Sequence, residues 1–285
     1  MKPHFVGRGL APAKNRSAAR LKLGTAYFRL KRYALWAFGG LKFARRGRPC
    51  ACPCTHEHFV HQTPLLRKLK DVDMYLQHNK IVNLRLAVAK LDGVILRPGE
   101  TFSYWRLIGK PTRRKGYLPG MVLERGAVKA GIGGGLCQLS NLIYWMTLHT
   151  PLTVTQRHRH GYDVFPDAGR TQPFGSGATC FYNYGDLMIK NDTAQTFKLR
   201  LEVGESHLHG AWLSDVPPVC KYEVYEKAHL IQSEYWGGYT RHNLIHRRIY
   251  NLDGTQTGDE FVAENHAIMM YAPLLTSNSE RECCK

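Results

Sequence analysis

Gly131-Ile-Gly-Gly-Gly-Leu-Cys-Gln-Leu-Ser140 runs without a break into Asn141-Leu-Ile-Tyr-Trp-Met-Thr-Leu-His149. Leu139, Leu142, Ile143 and Met146 recur at helical spacing, and Pro151 closes the segment. A glycine-rich loop therefore opens directly into a buried helix, with Cys137 in the first turn. Unpaired amides and the helix dipole at that position stabilise a thiolate. Gly133, Gly134 and Gly135 let the backbone approach a substrate closely, and the N–H groups of Gly134 and Gly135 can cradle an oxyanion. Gln138 adds a side-chain donor beside the thiol, and Ser140 stands with these as a substrate-binding candidate. Such parts make a cysteine acyl-transfer site. A glycine loop before a helix also binds phosphate, but this one lacks the Lys-Ser/Thr of a P-loop and the spacing of a dinucleotide fingerprint. A buried, inert cysteine beside a tight turn is the plain alternative.

A cysteine nucleophile needs a base brought close by the fold. Gln156-Arg-His-Arg-His-Gly161 ends the strand that returns from the Cys137 helix. On a strand His158 and His160 point the same way, and Arg157 and Arg159 point the other. Arg157 or Arg159 is suited to hold a substrate carboxylate.

Outward from this centre, helical patterns cover Pro64 to Leu76 and Lys80 to Leu91, and Asp92-Gly93 ends the second with turn chemistry. Val94-Ile-Leu96 and Thr101-Phe-Ser-Tyr-Trp105 read as strands, separated by the turn Arg97-Pro-Gly-Glu100, with a basic loop over 110–115. From Thr150 onward the character becomes β. Leu152–Gln156, Asp186–Lys190, Phe197–Val203, Val219–Tyr225 and His242–Tyr250 are strand candidates, and Asn191-Asp192 is a natural turn between two of them. The expected fold is α+β: a mostly antiparallel sheet, a buried helix opening at the glycine loop that carries Cys137, and a basic helical N-terminal arm.

Net charge is +18 over 285 residues, but residues 1–48 hold thirteen basic side chains and no acid. Between Ser17 and Leu41 the basic residues interleave with Leu21, Leu23, Tyr27, Phe28, Leu30, Tyr33, Leu35, Trp36 and Phe38. That composition suits a helix lying on anionic lipid, with a helix packed on its own domain as the alternative. We expect no specific nucleic-acid partner. No run of about 20 apolar residues is present, and the first residues lack a signal peptide's apolar region. A soluble cytoplasmic protein, peripheral at the inner membrane face, is therefore the expectation. With that setting, the eight cysteines read as free thiols. Cys50, Cys52, Cys54, His56 and His58 offer soft-metal ligands, but their spacing is wrong for a zinc finger, so a surface loop and no metal or cofactor are expected.

Several of these segments carry a resemblance. Asn83-Leu-Arg-Leu-Ala87, Pro98-Gly-Glu-Thr-Phe-Ser-Tyr-Trp105, Gly133-Gly-Gly-Leu-Cys-Gln-Leu-Ser-Asn-Leu142, Thr150-Pro-Leu-Thr-Val154, Arg157 with His160, and Asp186-Leu with Lys190-Asn-Asp192 resemble the VanW family over about residues 75 to 205. The resemblance implies an association with glycopeptide resistance and peptidoglycan metabolism. Through cell-wall-anchored relatives it also implies L,D-transpeptidase-like acyl transfer on peptidoglycan stem peptides. It makes Cys137 the nucleophile and His160 the base, with His158 an extra. A non-catalytic protein that binds cell-wall precursors at the inner membrane face is the alternative. Where the family commonly reads Asp-Ala-Thr-Val, this chain has Gly177-Ala-Thr-Cys180, so an aspartate orienting His160 would have to be Asp163 or Asp186. The expected organisation is a basic arm with a Cys/His-rich loop (1–60), a VanW-like domain (61–215) and a β-rich C-terminal extension packed on it (216–285).

Overall fold

A computed structural model of the chain describes residues 16–50, 53–66, 73–124, 126–164 and 171–273. Helix α1 (Ala18–Phe38) is capped by Ser17, whose hydroxyl accepts the Arg20 amide. Strands β1 (Lys42–Phe43) and β2 (His56–Pro64) lead to helix α2 (Met74–Leu91), which stops at Asp92 before the left-handed Gly93. Strands β3 (Ile95–Leu96) and β4 (Glu100–Ser103) precede the short helix α3 (Tyr104–Ile108) and the hairpin β5 (Pro119–Glu124) and β6 (Ala127–Ile132). The glycine loop then opens helix α4 (Cys137–Leu148). Strands β7 (Thr153–Gln156), β8 (Tyr162–Asp163), β9 (Met188–Lys190), β10 (Phe197–Val203) and β11 (His207–Ser214) follow. Three long strands, β12 (Cys220–Ser233), β13 (Tyr239–Asn251) and β14 (Gln256–Met269), complete the described chain.

The strands form sheets ordered β1-β4-β9-β7, β2-β11-β10-β3 and β12-β13-β14-β8, beside the β5–β6 hairpin. Among the described residues only β1–β4 and β8–β14 pair in parallel. The fold is thus α+β with mainly antiparallel pairing, as the sequence pattern indicates. Helix α4 packs against β2, β7 and β11 and is buried from Leu139 onward except for Asn141. Leu139, Leu142, Ile143 and Met146 belong to one core with Phe102, Phe197 and Trp212, and the Trp212 indole N–H donates to Thr147 Oγ1 at 3.1 Å. A 12-residue helix is marginal alone in water, so this apolar burial, about 2 kcal/mol per large side chain, is what holds it.

Some elements differ from the sequence reading. The strand expected over Thr101–Trp105 stops at Ser103, because the Ser103 hydroxyl accepts the Arg106 amide and starts α3. Pro64 ends strand β2 instead of beginning a helix, and residues 67–72 lie outside the described residues. His56 and His58 belong to β2, not to a loop, because the segment pairs along β11. Asn191-Asp192 does not join a hairpin: β9 and β10 lie in different sheets. Asn191 donates there to Leu96 O at 3.0 Å and Gln195 O at 2.7 Å, holding the crossing. The basic arm is helical over Ala18–Phe38 and then enters strand β1, and its first fifteen residues lie outside the described residues.

Candidate cysteine site

The β5–β6 hairpin folds back so that Gly134 lies against Gly120. A Cβ on Gly134 would meet the Gly120 carbonyl carbon at 2.1 Å, so neither position admits a side chain without a backbone shift. Gly135, at φ +90°, presses on the stem of the buried Lys80. The loop is tied to itself and to the β5 segment: Gly134 N–H donates to Gly131 O (2.9 Å), Gly133 N–H to Leu118 O (3.0 Å) and Gly135 N–H to Met121 O (2.9 Å). Asn83, fully buried on α2, reaches the same loop and donates to Gly134 O at 2.9 Å. The Gln138 side-chain amide donates to Thr63 Oγ1 and Pro64 O, both at 2.9 Å, and ties α4 to β2. The oxyanion donors read from the sequence are therefore engaged elsewhere. The amides of Leu136 and Cys137, by contrast, have no acceptor among the described residues.

Opposite the start of α4 lies the loop that carries Cys180. Ser140 Oγ donates to Ala178 O at 2.6 Å, and Asn141 Oδ1 accepts the Ala178 amide at 2.7 Å. Arg157 lies over the Tyr144 ring and donates through Nε to Gly177 O at 2.8 Å, and through one terminal nitrogen to Gly175 O and to Asn265 Oδ1 at 3.0 Å. Arg157 thus braces this loop, which argues against its expected place on a substrate carboxylate. The Thr179 amide donates to His158 O at 2.8 Å, and the His160 amide donates to Thr179 Oγ1 at 3.2 Å.

These bonds bring the Cys180 thiol to 3.7 Å from Cys137 Sγ, with Cys180 donating, and place the Cys137 thiol to donate to the Cys180 carbonyl at 3.5 Å. The Cys180 thiol, and after it His160, holds Cys137 well below the ordinary thiol value, against the opposing effect of burial. Cys180 moves the other way: burial and the adjacent Cys137 sulfur push it well above that value. The two sulfurs thus shift in opposite directions, with the lowered one, Cys137, the partly exposed member of the pair.

His158 and His160 part company. Strand β7 ends at Gln156, so the alternation that would point both rings the same way does not extend to them. Arg32 from α1 donates to Gln156 Oε1 at 2.7 Å, and Gln156 in turn donates to His158 Nε2 at 2.8 Å. Burial and the nearby Arg32 lower His158, which stands as a neutral acceptor away from the thiol. Neither candidate aspartate is among the described partners of His160. Asp163 accepts from Arg241 (3.4 Å) and Tyr271 (2.9 Å). Asp186 accepts the Ser103 hydroxyl (2.6 Å) and the Trp105 amide (2.9 Å).

Cys180, Asn83 and Tyr104, whose hydroxyl donates to Leu136 O at 2.9 Å, are site residues that reading the sequence did not assign. Asn83 and Tyr104 did fall inside the motifs quoted for the family. No local pattern could place Cys180, 43 residues away, against Cys137. Cys50 and Cys54 Sγ are 3.3 Å apart, while Cys52 lies outside the described residues. Among the described residues no group of three or more His, Cys, Asp or Glu is arranged to hold a metal ion. No described helix is long and apolar enough to cross a membrane.

An α+β domain with a cysteine at the start of a buried helix, beside a second thiol, is the class that fold and site define. Residues 79–213 match the family described as VanW like protein, and over this segment the chain is similar to that family. Vancomycin B-type resistance protein VanW of Enterococcus faecalis (strain ATCC 700802 / V583) is 37% identical over 152 residues, which are 53% of this chain and 55% of the relative. Uncharacterized protein YoaR of Bacillus subtilis (strain 168) is 30% identical over 135 residues, 47% of this chain and 43% of the relative. The chain spans about half the length of the curated relatives it matches. No solved structure matches it.

Proposed function

We propose that this protein acts on peptidoglycan-type peptides in a glycopeptide-resistance setting, as a cysteine acyl transferase working through Cys137 and His160. The contact of the Cys137 sulfur with the Cys180 thiol carries this reading, because that thiol, and after it His160, favours the nucleophilic thiolate form of Cys137. The VanW relative named for vancomycin B-type resistance supplies the setting. The thiolate adds to a peptide carbonyl, and the oxyanion draws on the Leu136 and Cys137 amides. Protonated His160 delivers its proton to the leaving amine, giving a thioester. An acceptor amine then attacks the thioester, loses its proton to His160 and expels the Cys137 thiolate. Helix α1, basic along its length and exposing Leu23, Tyr27, Leu30 and Phe38, rests in this reading on anionic lipid at the inner membrane face.

One observation favours a second reading. The amides of Gly133, Gly134 and Gly135 and the Gln138 side chain are engaged, and no described carboxylate orients His160. A protein that only binds cell-wall precursors needs none of these. Incubation with a stem peptide followed by intact-mass measurement separates the two. Acyl transfer gives an adduct on Cys137 that Cys137→Ala abolishes and His160→Ala slows at least tenfold. Peptide binding that survives Cys137→Ser, with no adduct on the wild-type protein, sinks the catalytic reading.

A further inference from the structure

We propose that Cys137 and Cys180 form a reversible dithiol–disulfide couple that a hydroperoxide closes and a dithiol reopens. The two sulfurs are 3.7 Å apart and already share a hydrogen bond. Closing that gap to the roughly 2.05 Å of a disulfide is within reach of side-chain rotation at the two residues. The surroundings deliver both thiols to the same point. Ser140, Asn141 and Arg157 fix the Cys180 loop to α4 through Ala178, Gly175 and Gly177. On the other side, the tightly bonded glycine loop fixes the start of α4. Access is unequal, because Cys137 is partly exposed and Cys180 is buried. A small oxidant therefore meets Cys137 first.

The chemistry balances with hydrogen peroxide as the oxidant. The Cys137 thiolate attacks one peroxide oxygen and displaces hydroxide, so sulfur is oxidised by two electrons to the sulfenic acid and the peroxide is reduced. Cys180 sulfur then attacks the Cys137 sulfur and displaces the sulfenic hydroxyl. That hydroxide leaves as water with the proton Cys180 carried, and the S–S bond forms. The hydroxide displaced in the first step takes back from solvent the proton that Cys137 gave up, so two thiols and one peroxide give one disulfide and two waters. A dithiol reverses the step by exchange and restores both thiols. The Cys180 thiol that lends its hydrogen bond to the thiolate is, in this scheme, also the group that saves Cys137 from irreversible oxidation. The consequence for acyl transfer rests on the proposed function, since the disulfide removes the nucleophile. The couple itself does not.

The test uses the full chain and no acyl substrate, so it succeeds or fails independently of catalysis. Protein is titrated with hydrogen peroxide, blocked with N-ethylmaleimide, digested without reductant and mapped by mass spectrometry. We expect a Cys137–Cys180 cross-linked peptide as the main product, abolished by dithiothreitol. In Cys180→Ser the cross-link is lost and Cys137 proceeds to the sulfinic acid under the same dose. The neighbouring Cys50–Cys54 pair, with sulfurs 3.3 Å apart, reports general oxidation in the same digest. Wild-type Cys137 passing to the sulfinic acid while Cys180 stays reduced overturns the proposal, as does pairing of Cys137 with any other cysteine.

Discussion

Asn83 Nδ2 donates to Gly134 O at 2.9 Å and to Leu118 O at 3.0 Å, while its Oδ1 accepts the Leu118 amide at 2.8 Å. One fully buried side chain on α2 thereby fixes the entry of the β5–β6 hairpin and the exit loop that delivers Cys137. Replacing it with alanine strands the Gly134 carbonyl and the Leu118 amide, while Leu118 O keeps the Gly133 N–H, at about 1–3 kcal/mol for each buried group left without a partner. We expect Asn83→Ala to lose about 3–5 kcal/mol in urea unfolding. Alkylation of Cys137 by iodoacetamide should slow in the same variant. A loss below 1 kcal/mol would show that the loop holds its shape without Asn83.

The rate of Cys137 alkylation against pH reads the thiolate directly. Its midpoint should lie well below that of an ordinary thiol, because the Cys180 thiol, and after it His160, favours the charged sulfur. Removing either group raises the midpoint. Cys180→Ala should raise it more than His160→Ala, since the Cys180 thiol has the larger effect on the charged sulfur. The reverse order would make His160 the dominant stabiliser of the thiolate.

The sequence and the structure agree where local chemistry dominates. Leu139, Leu142, Ile143 and Met146 announce a buried helix because core packing imposes the helical period on its sequence. Asp92-Gly93 marks the end of α2 because only glycine takes the left-handed turn cheaply. What stays hidden depends on tertiary pairing. His56 and His58 read as part of a ligand-rich loop until β11 lies beside them. Gln138 and the glycine amides look available because their acceptors, Pro64, Leu118 and Met121, come from other segments. Cys180 is the extreme case, as its meaning is set by one contact across the fold. The C-terminal sheet enters the site in the same way, through Asn265 on Arg157.

Helix α1 is held on the domain largely by Arg32, its one buried residue. The guanidinium donates to Gln156 Oε1 at 2.7 Å and Tyr184 O at 3.0 Å, and lies 3.9 Å from Asp186. Breaking a buried pair by removing one partner costs about 3–5 kcal/mol. Arg32→Ala should therefore free α1 locally. Trypsin would cut at Arg20, Lys22 and Arg29 earlier than in the wild-type protein, while α4 and its sheets stay resistant. Unchanged cleavage times would mean that the aromatic contacts of α1, such as Phe28 on Tyr184, suffice to hold it.

Asp186 makes stability depend on pH in a direction opposite to that of most carboxylates. Burial pushes its carboxyl up to about 6, against the pull of the Ser103 hydroxyl, the Trp105 amide and Arg32. Between the ordinary carboxyl range and pH 6 the folded protein holds more proton than the unfolded chain, so the free energy of unfolding falls as pH rises through that window. A shift of about two units corresponds to about 3 kcal/mol lost by pH 7. Asparagine cannot titrate, yet its side-chain oxygen still accepts the Trp105 amide. We therefore expect Asp186→Asn to gain on the wild type by about 2–3 kcal/mol between pH 4 and pH 7 in urea unfolding. A constant difference across that range would mean that Asp186 ionises at an ordinary value, with Arg32 compensating fully for its burial.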